Sequence, residues 1–472
     1  MTPRLAALAA LAMAPLFVPR VTLAQPAVVP AQAFAPPAWS ERATIYEVNL
    51  RQYTPEGTIA AFRKELPRLR ALGADILWFM PVQPIGKVER KGALGSYYSI
   101  ADYVAVNPEF GTLDDFKAMV ADAHRLGFKV ILDWVANHTA FDHPWTRAHP
   151  DWYVRRPDGS ISRAVDQDGK ETDWSDVAQL DYRNRQLREA MIGEMAFWLR
   201  ETGIDGFRAD VAFFLPDDFW AEATARLRAL RPDVFLLAEA EKPSLHTVGF
   251  HAGYAWELHH LLNAVATRKK PVGALDEWLA WEAARFPAGA YRMAFTSNHD
   301  ENSWNGTEFE RMGANHRPAF VLAATLRGTM PLVYSGQELG NDRRLRFFDK
   351  DTLARRDPGA AAFYASMFDL KHRNVALANG AAGGAHVPLA LEGEDRAWGF
   401  VRARGANHVL VVTNFADAPA RVRLRGDAAA GRWRDWSTGR SVTLRPGAAL
   451  DVGANGWRIL VRGADPARAA RR

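Results

Sequence analysis

One sequence feature constrains the fold of this chain more than any other. Four apolar segments each end in ionisable side chains. In chain order they are residues 131–138 (ILDWVANH), 206–214 (GFRADVAFF), 235–240 (FLLAEA) and 295–300 (FTSNHD). A buried parallel strand has this appearance when its carboxyl end carries functional groups to the rim of a barrel. The four segments therefore predict an α/β barrel whose rim brings three carboxylates to one pocket.

The ionisable side chains of these segments are the candidate catalytic and binding groups. A single acid at a strand end is more often a salt-bridge partner or a helix cap than a catalyst. Four such strand ends in order favour a shared site instead. The carboxylates are Asp210, Glu239 and Asp300, and the neighbouring candidates are His138, Arg208 and His299.

Strand and helix patterns alternate along most of the chain. The strand candidates are apolar runs, and the helix candidates have apolar residues at helical spacing before a glycine. This alternation predicts a parallel (β/α)8 barrel. In order, the segments are 43–50 (strand), 58–72 (helix), 76–81 (strand), 113–126 (helix) and 129–134 (strand), and the alternation continues to 330–335.

Two departures from the alternation predict further domains. Residues 139–181 are too long for an ordinary connection, and their aromatic side chains favour a small folded domain over the active site rather than a floppy insertion. After residue 385, short β-rich segments separated by turn residues predict an antiparallel β-sandwich. These segments are 397–402, 408–415, 421–424, 440–444 and 457–461.

The N-terminus predicts export from the cytoplasm. Arg4, an apolar stretch over 5–18 and the small-residue site at 22–24 together have the features of a secretory signal peptide. The stretch is too short to span a membrane. Cysteine is absent, which excludes disulfides and thiolate metal sites, and the net charge of +5 without a basic stripe argues against nucleic-acid binding.

These patterns divide the chain into six predicted parts. They are a signal peptide (1–24), a Pro/Ala-rich linker (25–40), a catalytic barrel (41–138 and 182–384), an inserted domain (139–181), a C-terminal β-sandwich (385–463) and a tail (464–472).

The four segments, in this order, resemble those of the α-amylase superfamily of glycoside hydrolases, the family 13 type. Residues 328–340 (GTMPLVYSGQELG) also resemble the eighth-strand segment of that family, and the similarity extends from about Thr44 to the C-terminus. The resemblance implies a (β/α)8 barrel, a small domain inserted after the third strand and a C-terminal β-sandwich. It also implies a retaining enzyme that acts on α-glucans without an organic cofactor.

The resemblance implies a role for each candidate residue. Asp210 would be the nucleophile, Glu239 the general acid/base and Asp300 the carboxylate that stabilises the transition state. The histidines would contact the sugar in the cleavage subsite, where an aromatic ring would stack on it, and the arginine would keep the nucleophile ionised. The substrate-binding candidates are Tyr98, Asp133, His138, Arg208 and His299.

The proposed chemistry needs two carboxylates in different protonation states. A retaining glycosidase uses one as nucleophile and another first as acid and then as base. Arg208 lies two residues before Asp210 on the same strand face and is expected to lower its pKa, whereas apolar neighbours and nearby carboxylates are expected to raise the pKa of Glu239. Glu241 is an alternative acid, and Glu301 is expected to face away.

Two departures from the family pattern affect substrate and metal binding. Residues 211–214 (VAFF) stand where many relatives carry Lys-His, so leaving-group recognition is expected to differ. Structural calcium is an open alternative, because Asn137 supplies one oxygen and five nearby aspartates offer more of the six to eight that calcium takes. Those aspartates are Asp142, Asp166, Asp168, Asp173 and Asp176.

Three functions are open at this point. The first is an exported retaining hydrolase of α-1,4 bonds in starch fragments, with an α-glucan or maltooligosaccharide as its partner. The second is an exo-acting α-glucosidase, a maltogenic enzyme or a glucosyltransferase with the same mechanism. The third is a non-catalytic carbohydrate-binding protein on the same fold, which the presence of all three carboxylates disfavours. The sequence does not indicate the oligomeric state.

Overall fold

Eight parallel strands close into a barrel at the centre of the computed structural model, which describes residues 35–463. Each strand pairs with the next along the chain, and the eighth pairs with the first, which confirms the predicted barrel. The predicted signal peptide, the linker before residue 35 and the tail 464–472 lie outside the described residues. The strands are β1 (Ile45–Val48), β2 (Ile76–Phe79), β3 (Lys129–Trp134), β4 (Gly206–Ala209), β5 (Phe235–Ala238), β6 (Ala252–Tyr254), β7 (Tyr291–Ala294) and β8 (Thr329–Tyr334).

Helices follow the strands and cover the outside of the barrel. No helix among residues 35–463 is long and apolar enough to cross a membrane. In chain order the helices are Leu50–Tyr53, Ile59–Arg63, Leu66–Leu72, Leu113–Arg125, Trp145–Ala148, Arg185–Thr202, Asp217–Leu230, Pro243–Thr247, Trp256–Ala266, Ala274–Arg285, Glu308–Met312, His316–Thr325 and Pro358–Arg373.

The predicted helix over 58–72 is two helices rather than one. It is interrupted between Arg63 and Leu66, just before Pro67. Proline has no backbone N–H, so it cannot donate to the carbonyl of Arg63 as a continuous helix requires. The second helix ends as predicted at Gly73, whose φ of 96° is the left-handed conformation that a glycine adopts without steric cost.

Side-chain alternation along the strands sorts residues between the barrel interior and the helix layer. Ile45, Ile131 and Leu237 belong to the cluster inside the barrel, whereas Leu132 and Leu236 pack in the cluster that includes the helices. Because successive strand residues point to opposite faces, the inward positions continue toward the carboxyl ends of the strands. The polar residues at these inward positions are Glu47, Asp133, Arg208 and Glu239.

The fourth motif is displaced from its predicted place. Residues 295–300 were expected to end an apolar strand, but β7 lies upstream and the motif forms the turn after it. β7 does not stand out in the sequence as an apolar run, because the charged residue Arg292 interrupts it. Its guanidinium is buried in the helix layer, over the ring of Phe286 and 2.5 Å from Glu241.

Two excursions complete the fold. After β3 the chain forms the antiparallel strands His138–Ala140 and Val177–Gln179, which join the intervening segment to the barrel rim. At the C-terminus a six-stranded and a three-stranded antiparallel sheet enclose an apolar core. Their strands are β9 (Ala385–Pro388), β10 (Leu391–Glu392), β11 (Ala397–Arg404), β12 (Asn407–Asn414), β13 (Ala420–Leu424), β14 (Gly431–Asp435), β15 (Ser441–Leu444), β16 (Ala449–Val452) and β17 (Gly456–Arg462).

Candidate active site

The three predicted carboxylates meet at the carboxyl ends of the barrel strands. Asp210 follows β4, Glu239 follows β5 and Asp300 lies beyond β7. All three line one cleft with a volume of about 580 Å³. Six of the predicted site residues line this cleft, namely Tyr98, His138, Asp210, Glu239, His299 and Asp300. Its aromatic walls consist of Trp174, Trp304, Phe347 and Phe348.

Arg208 organises three of the buried carboxylates from below the cleft. Its Nη1 donates to Asp133 Oδ1 at 2.8 Å and to Asp210 Oδ1 at 2.9 Å. Its Nη2 lies 2.9 Å from Glu239 Oε2, yet within the described chain Nη2 makes no hydrogen bond of acceptable geometry. Asp133 and Asp210 therefore receive directed charge-assisted hydrogen bonds, whereas Glu239 receives attraction alone.

The pKa of Asp210 differs from the sequence expectation. Burial raises the pKa of this carboxyl well above its ordinary value, Glu239 and Asp133 add to the rise, and Arg208 opposes it. One guanidinium charge shared by three buried carboxylates is not enough to lower all three pKa values. Burial, reinforced by Asp300, raises the pKa of Glu239 as expected.

The hydrogen bonds indicate which of the three carboxyl groups around Arg208 is protonated. Asp133 and Asp210 accept charge-assisted bonds that favour their ionised forms. Among residues 35–463, Glu239 Oε2 accepts a hydrogen bond only from the backbone N–H of Val211, at 2.8 Å, and the residue lines the cleft. We therefore assign the proton to Glu239.

Val211 holds its backbone N–H on Glu239 at a conformational cost. Its φ of 35° and ψ of 43° are left-handed, which is unfavourable for a β-branched residue. Such strain costs on the order of 1–3 kcal/mol and persists only where the surroundings enforce it. The backbone of Val211 thus fixes the position of the candidate acid.

Asp133 and Arg208 are not at the surface of the cleft. Both side chains are fully buried, and Asp133 Oδ2 accepts the Tyr98 hydroxyl at 3.0 Å and the Trp78 ring N–H at 3.3 Å. The Tyr98 ring in turn stacks on His299, with centroids 5.4 Å apart. Asp133 and Arg208, which were predicted to bind substrate, therefore position the groups that line the cleft.

The two predicted histidines carry different charges. Burial lowers the pKa of His138 to about 4, so this imidazole is neutral near pH 7. Burial also opposes a charge on His299, but Asp300 and Glu47 raise its pKa to about 9. Its Nδ1 contacts Glu47 Oε1 at 2.5 Å, and its Nε2 lies 3.3 Å from Asp300 Oδ2. His299 is therefore a cation at neutral pH.

Glu47 is a site residue that the sequence reasoning missed. It is fully buried on β1, and its Oε2 has no hydrogen-bond partner among the described residues. Its Oε1 contacts His299, so the carboxylate of Glu47 stabilises the positive charge of that imidazole. An acid inside the apolar run of residues 45–48 (IYEV) was the available signal, since an unpaired acid is rarely buried.

We expect Glu47→Gln to lower the pKa of His299 from about 9 by at least ~1 unit, because the variant removes one of its two carboxylate partners. Since folding raises this pKa, the pair stabilises the native state fully below the ordinary value of about 6.5 and loses that stabilisation as pH rises through about 9. The measurement is an NMR titration of ¹³C-labelled histidines, with the His299 resonance assigned from a His299→Gln spectrum.

The matched control for that titration is Glu282→Gln, a buried glutamate that pairs with Arg327 on the helix layer. It should leave the His299 titration unchanged. A His299 pKa that stays near 9 in Glu47→Gln would show that Asp300 alone maintains the charge.

The alternative acids are directed away from the cleft. Glu241 lies 2.5 Å from Arg292 in the helix layer and accepts the Glu257 backbone N–H. Glu301 lies 3.1 Å from His259, whose other ring nitrogen contacts the Phe295 carbonyl. Both glutamates therefore have structural partners, and His259 belongs to a packing network.

Three of the side chains considered for calcium, those of Asn137, Asp166 and Asp176, already have partners in the described chain. The Gln179 side-chain NH₂ donates to both Asn137 O and Asn137 Oδ1 at 3.0 Å. The amide nitrogen thus occupies the place next to these two oxygens that a cation would take. Asp176 pairs with Lys91, and Asp166 caps its own turn. Residues 35–463 contain no group of three or more His, Asp or Glu able to hold a metal. Calcium binding stays a prediction, and we assign no chemical step to it.

A family model described as the alpha amylase catalytic domain matches residues 46–357. The chain belongs to the α-amylase family. Among curated relatives of this α-amylase-family chain, the alpha-1,4-glucan:maltose-1-phosphate maltosyltransferase of Rhodospirillum rubrum is 33% identical over 312 residues, which cover 61% of this chain and 43% of the relative. Alpha-amylase MalA of Haloarcula japonica is 27% identical over 409 residues, covering 82% and 57%. The chain thus spans about half the length of these two relatives.

Solved structures of the family share the fold of this chain. An alpha-amylase from Lactobacillus plantarum superposes with a TM-score of 0.80 at 29% identity, covering 90% of this chain and 99% of that one. The noncanonic maltogenic alpha-amylase AmyB from Thermotoga neapolitana gives 0.79 at 26% identity, covering 89% and 98%. The similarity therefore includes the barrel and the C-terminal sheets.

Proposed function

We propose that this α-amylase-family chain is a retaining enzyme that hydrolyses α-1,4-glucosidic bonds in starch fragments and maltooligosaccharides. The observation that carries the proposal is the arrangement of Asp210, Glu239 and Asp300 around one cleft, with Arg208 hydrogen-bonded to Asp210 but only ion-paired with Glu239. We also propose that the protein is exported, and the predicted signal peptide over 1–24 supports this.

In the first step of the proposed mechanism, Glu239 donates its proton to the glycosidic oxygen while an Asp210 oxygen attacks the anomeric carbon. The bond to the leaving sugar breaks, and that sugar departs with the proton. In the second step water attacks the anomeric carbon, its proton passes to Glu239, and the bond to Asp210 breaks. The second step thus restores the proton of Glu239 and the free carboxylate of Asp210, so the cycle balances.

The other residues of the cleft support the charge that develops during both steps. The Asp300 side chain is 36% exposed and faces the cleft, where its carboxylate can stabilise the positively charged sugar ring. The Tyr98 ring, which is nearly parallel to the rings of both His299 and Phe347, lines the same space. Neutral His138 lines the opposite wall near Trp174.

Transfer to a second sugar is the other candidate function. It is favoured by the maltosyltransferase name of a relative at 33% identity. Half-buried Phe213 and Phe214 follow the nucleophile and offer an apolar surface on the side of Glu239 where an acceptor would arrive. Only the acceptor differs, because the same glycosyl intermediate reacts with a sugar hydroxyl in place of water.

The test is a chromatographic time course of maltoheptaose with the purified protein, run with and without added maltose as acceptor. Shorter maltooligosaccharides with a matching increase in reducing ends would support hydrolysis. Products longer than the substrate, increased by maltose, would support transfer. No change on maltoheptaose, on α-1,6-linked glucans, trehalose or sucrose would contradict both proposals.

A further inference from the structure

The loop of residues 86–96, which we call the β2 loop, is fastened to the segment that follows β8. The backbone N–H of Leu94 donates to Phe348 O at 2.9 Å, and that of Ala93 donates to Asp349 Oδ1 at 3.0 Å. Buried Arg51 binds the carbonyls of Leu94 and Gly95. The β2 loop is therefore held against one wall of the cleft by backbone contacts.

Lys91 extends from this loop to the opposite wall. Its Nζ donates to Asp173 O at 2.8 Å and lies 3.6 Å from Asp176 Oδ1, while Phe348 lies beneath it with the ring centroid 5.9 Å away. The Asp176 side chain is buried, and its Oδ2 has no hydrogen-bond partner within the described chain. Lys91 is thus the cation that completes the contact between the two walls.

The strand order shows which end of the cleft this contact closes. Glu239 follows β5, whereas the β2 loop and Phe348 follow β2 and β8, the two neighbours of β1 across the barrel from β5. The leaving sugar receives its proton from Glu239 and lies on that side, near Phe214. The glycone therefore extends away from Glu239, past Tyr98 and Phe347, toward Lys91.

We propose that Lys91 closes the glycone end of the cleft, so that the enzyme attacks non-reducing ends of α-glucans and removes one short glycosyl unit at a time. This inference rests on the proposed function and specifies its substrate as the free non-reducing chain end. The exposed ring of Trp304, which packs on Phe347 and Phe348, extends the rim of the cleft beside Lys91.

The test compares two maltoheptaoses that carry a fluorescent label at the reducing end, one with a free non-reducing end and one with that end capped by a 4,6-acetal. The native enzyme should shorten the free chain by one constant step from the start and leave the capped chain intact. Lys91→Ala should cleave the capped chain internally and raise the capped-to-free rate ratio by about tenfold or more. Lys87→Ala, on an exposed lysine of the same loop, should behave as the native enzyme.

Each contrary result has a distinct meaning. Internal cleavage of the capped chain by the native enzyme would overturn the closed glycone end while leaving the proposed function in place. An unchanged ratio in Lys91→Ala would remove Lys91 as the closing residue. An intact free chain would contradict the proposed function itself, and this inference with it.

Discussion

Asp210→Asn is expected to lower kcat by about 10⁴-fold or more while substrate still binds. The amide keeps the size of the side chain but cannot form the covalent bond to the anomeric carbon. It also removes one of three carboxylates around Arg208, so the folded state should not be weakened by unpaired negative charge. The measurements are turnover of maltoheptaose, with binding followed by calorimetry.

The control for this variant is Asp218→Asn, a largely exposed aspartate on the helix after β4 that pairs with Arg188. It should retain native turnover. Retained activity in Asp210→Asn would remove Asp210 as nucleophile. Mass spectrometry of the native enzyme treated with a fluorinated glycosyl fluoride gives an independent check, because the trapped sugar should lie on the peptide that contains Asp210.

Glu239→Gln is expected to lower kcat/KM on maltoheptaose by about 10²–10⁴-fold, the usual contribution of a general acid or base. The loss should be much smaller for a glycosyl fluoride, whose leaving group needs little protonation. Added azide should then restore turnover and yield a glycosyl azide of retained configuration, because azide needs no general base. These rates and the product configuration are measured by chromatography and NMR.

Glu241→Gln is the matched control, because it makes the same change two residues away. It removes the ion pair with Arg292, so we expect a lower melting temperature with kcat close to native. If Glu241→Gln instead loses the activity and Glu239→Gln keeps it, the acid assignment moves to Glu241.

The strand ends were predictable from the sequence because their chemistry is local. Asp210 and Glu239 each terminate an apolar run, and parallel strands of a barrel share one rim, so their proximity follows from the fold. Their protonation was only partly predictable. The sequence places Arg208 two residues before Asp210, but it does not show that Asp133 and Glu239 share the same guanidinium.

Other features depend on partners that are distant in sequence. Arg292 interrupts the apolar run of β7, and its buried partner Glu241 lies 51 residues earlier in the sequence. The Gln179 amide and Asn137 are separated by 42 residues, so the sequence does not show that this amide bonds to the candidate calcium ligand. Lys91 gave no local signal, since its function as a closing residue requires the contact with Asp173 across the cleft.

The site constrains length changes in the strands more than in the loops, because four of its polar residues share inward strand positions. These residues are Glu47, Asp133, Arg208 and Glu239. Shifting a strand by one residue would turn its functional side chain into the helix layer, so insertions or deletions within β1, β3, β4 or β5 would destroy the reaction. The β2 loop and the segment after β8 carry none of the three cleft carboxylates, and surface loops generally tolerate changes in length better than strands do. Under the proposed function, changes in these two segments can therefore alter which end of a glucan is attacked while the bond-breaking chemistry stays constant.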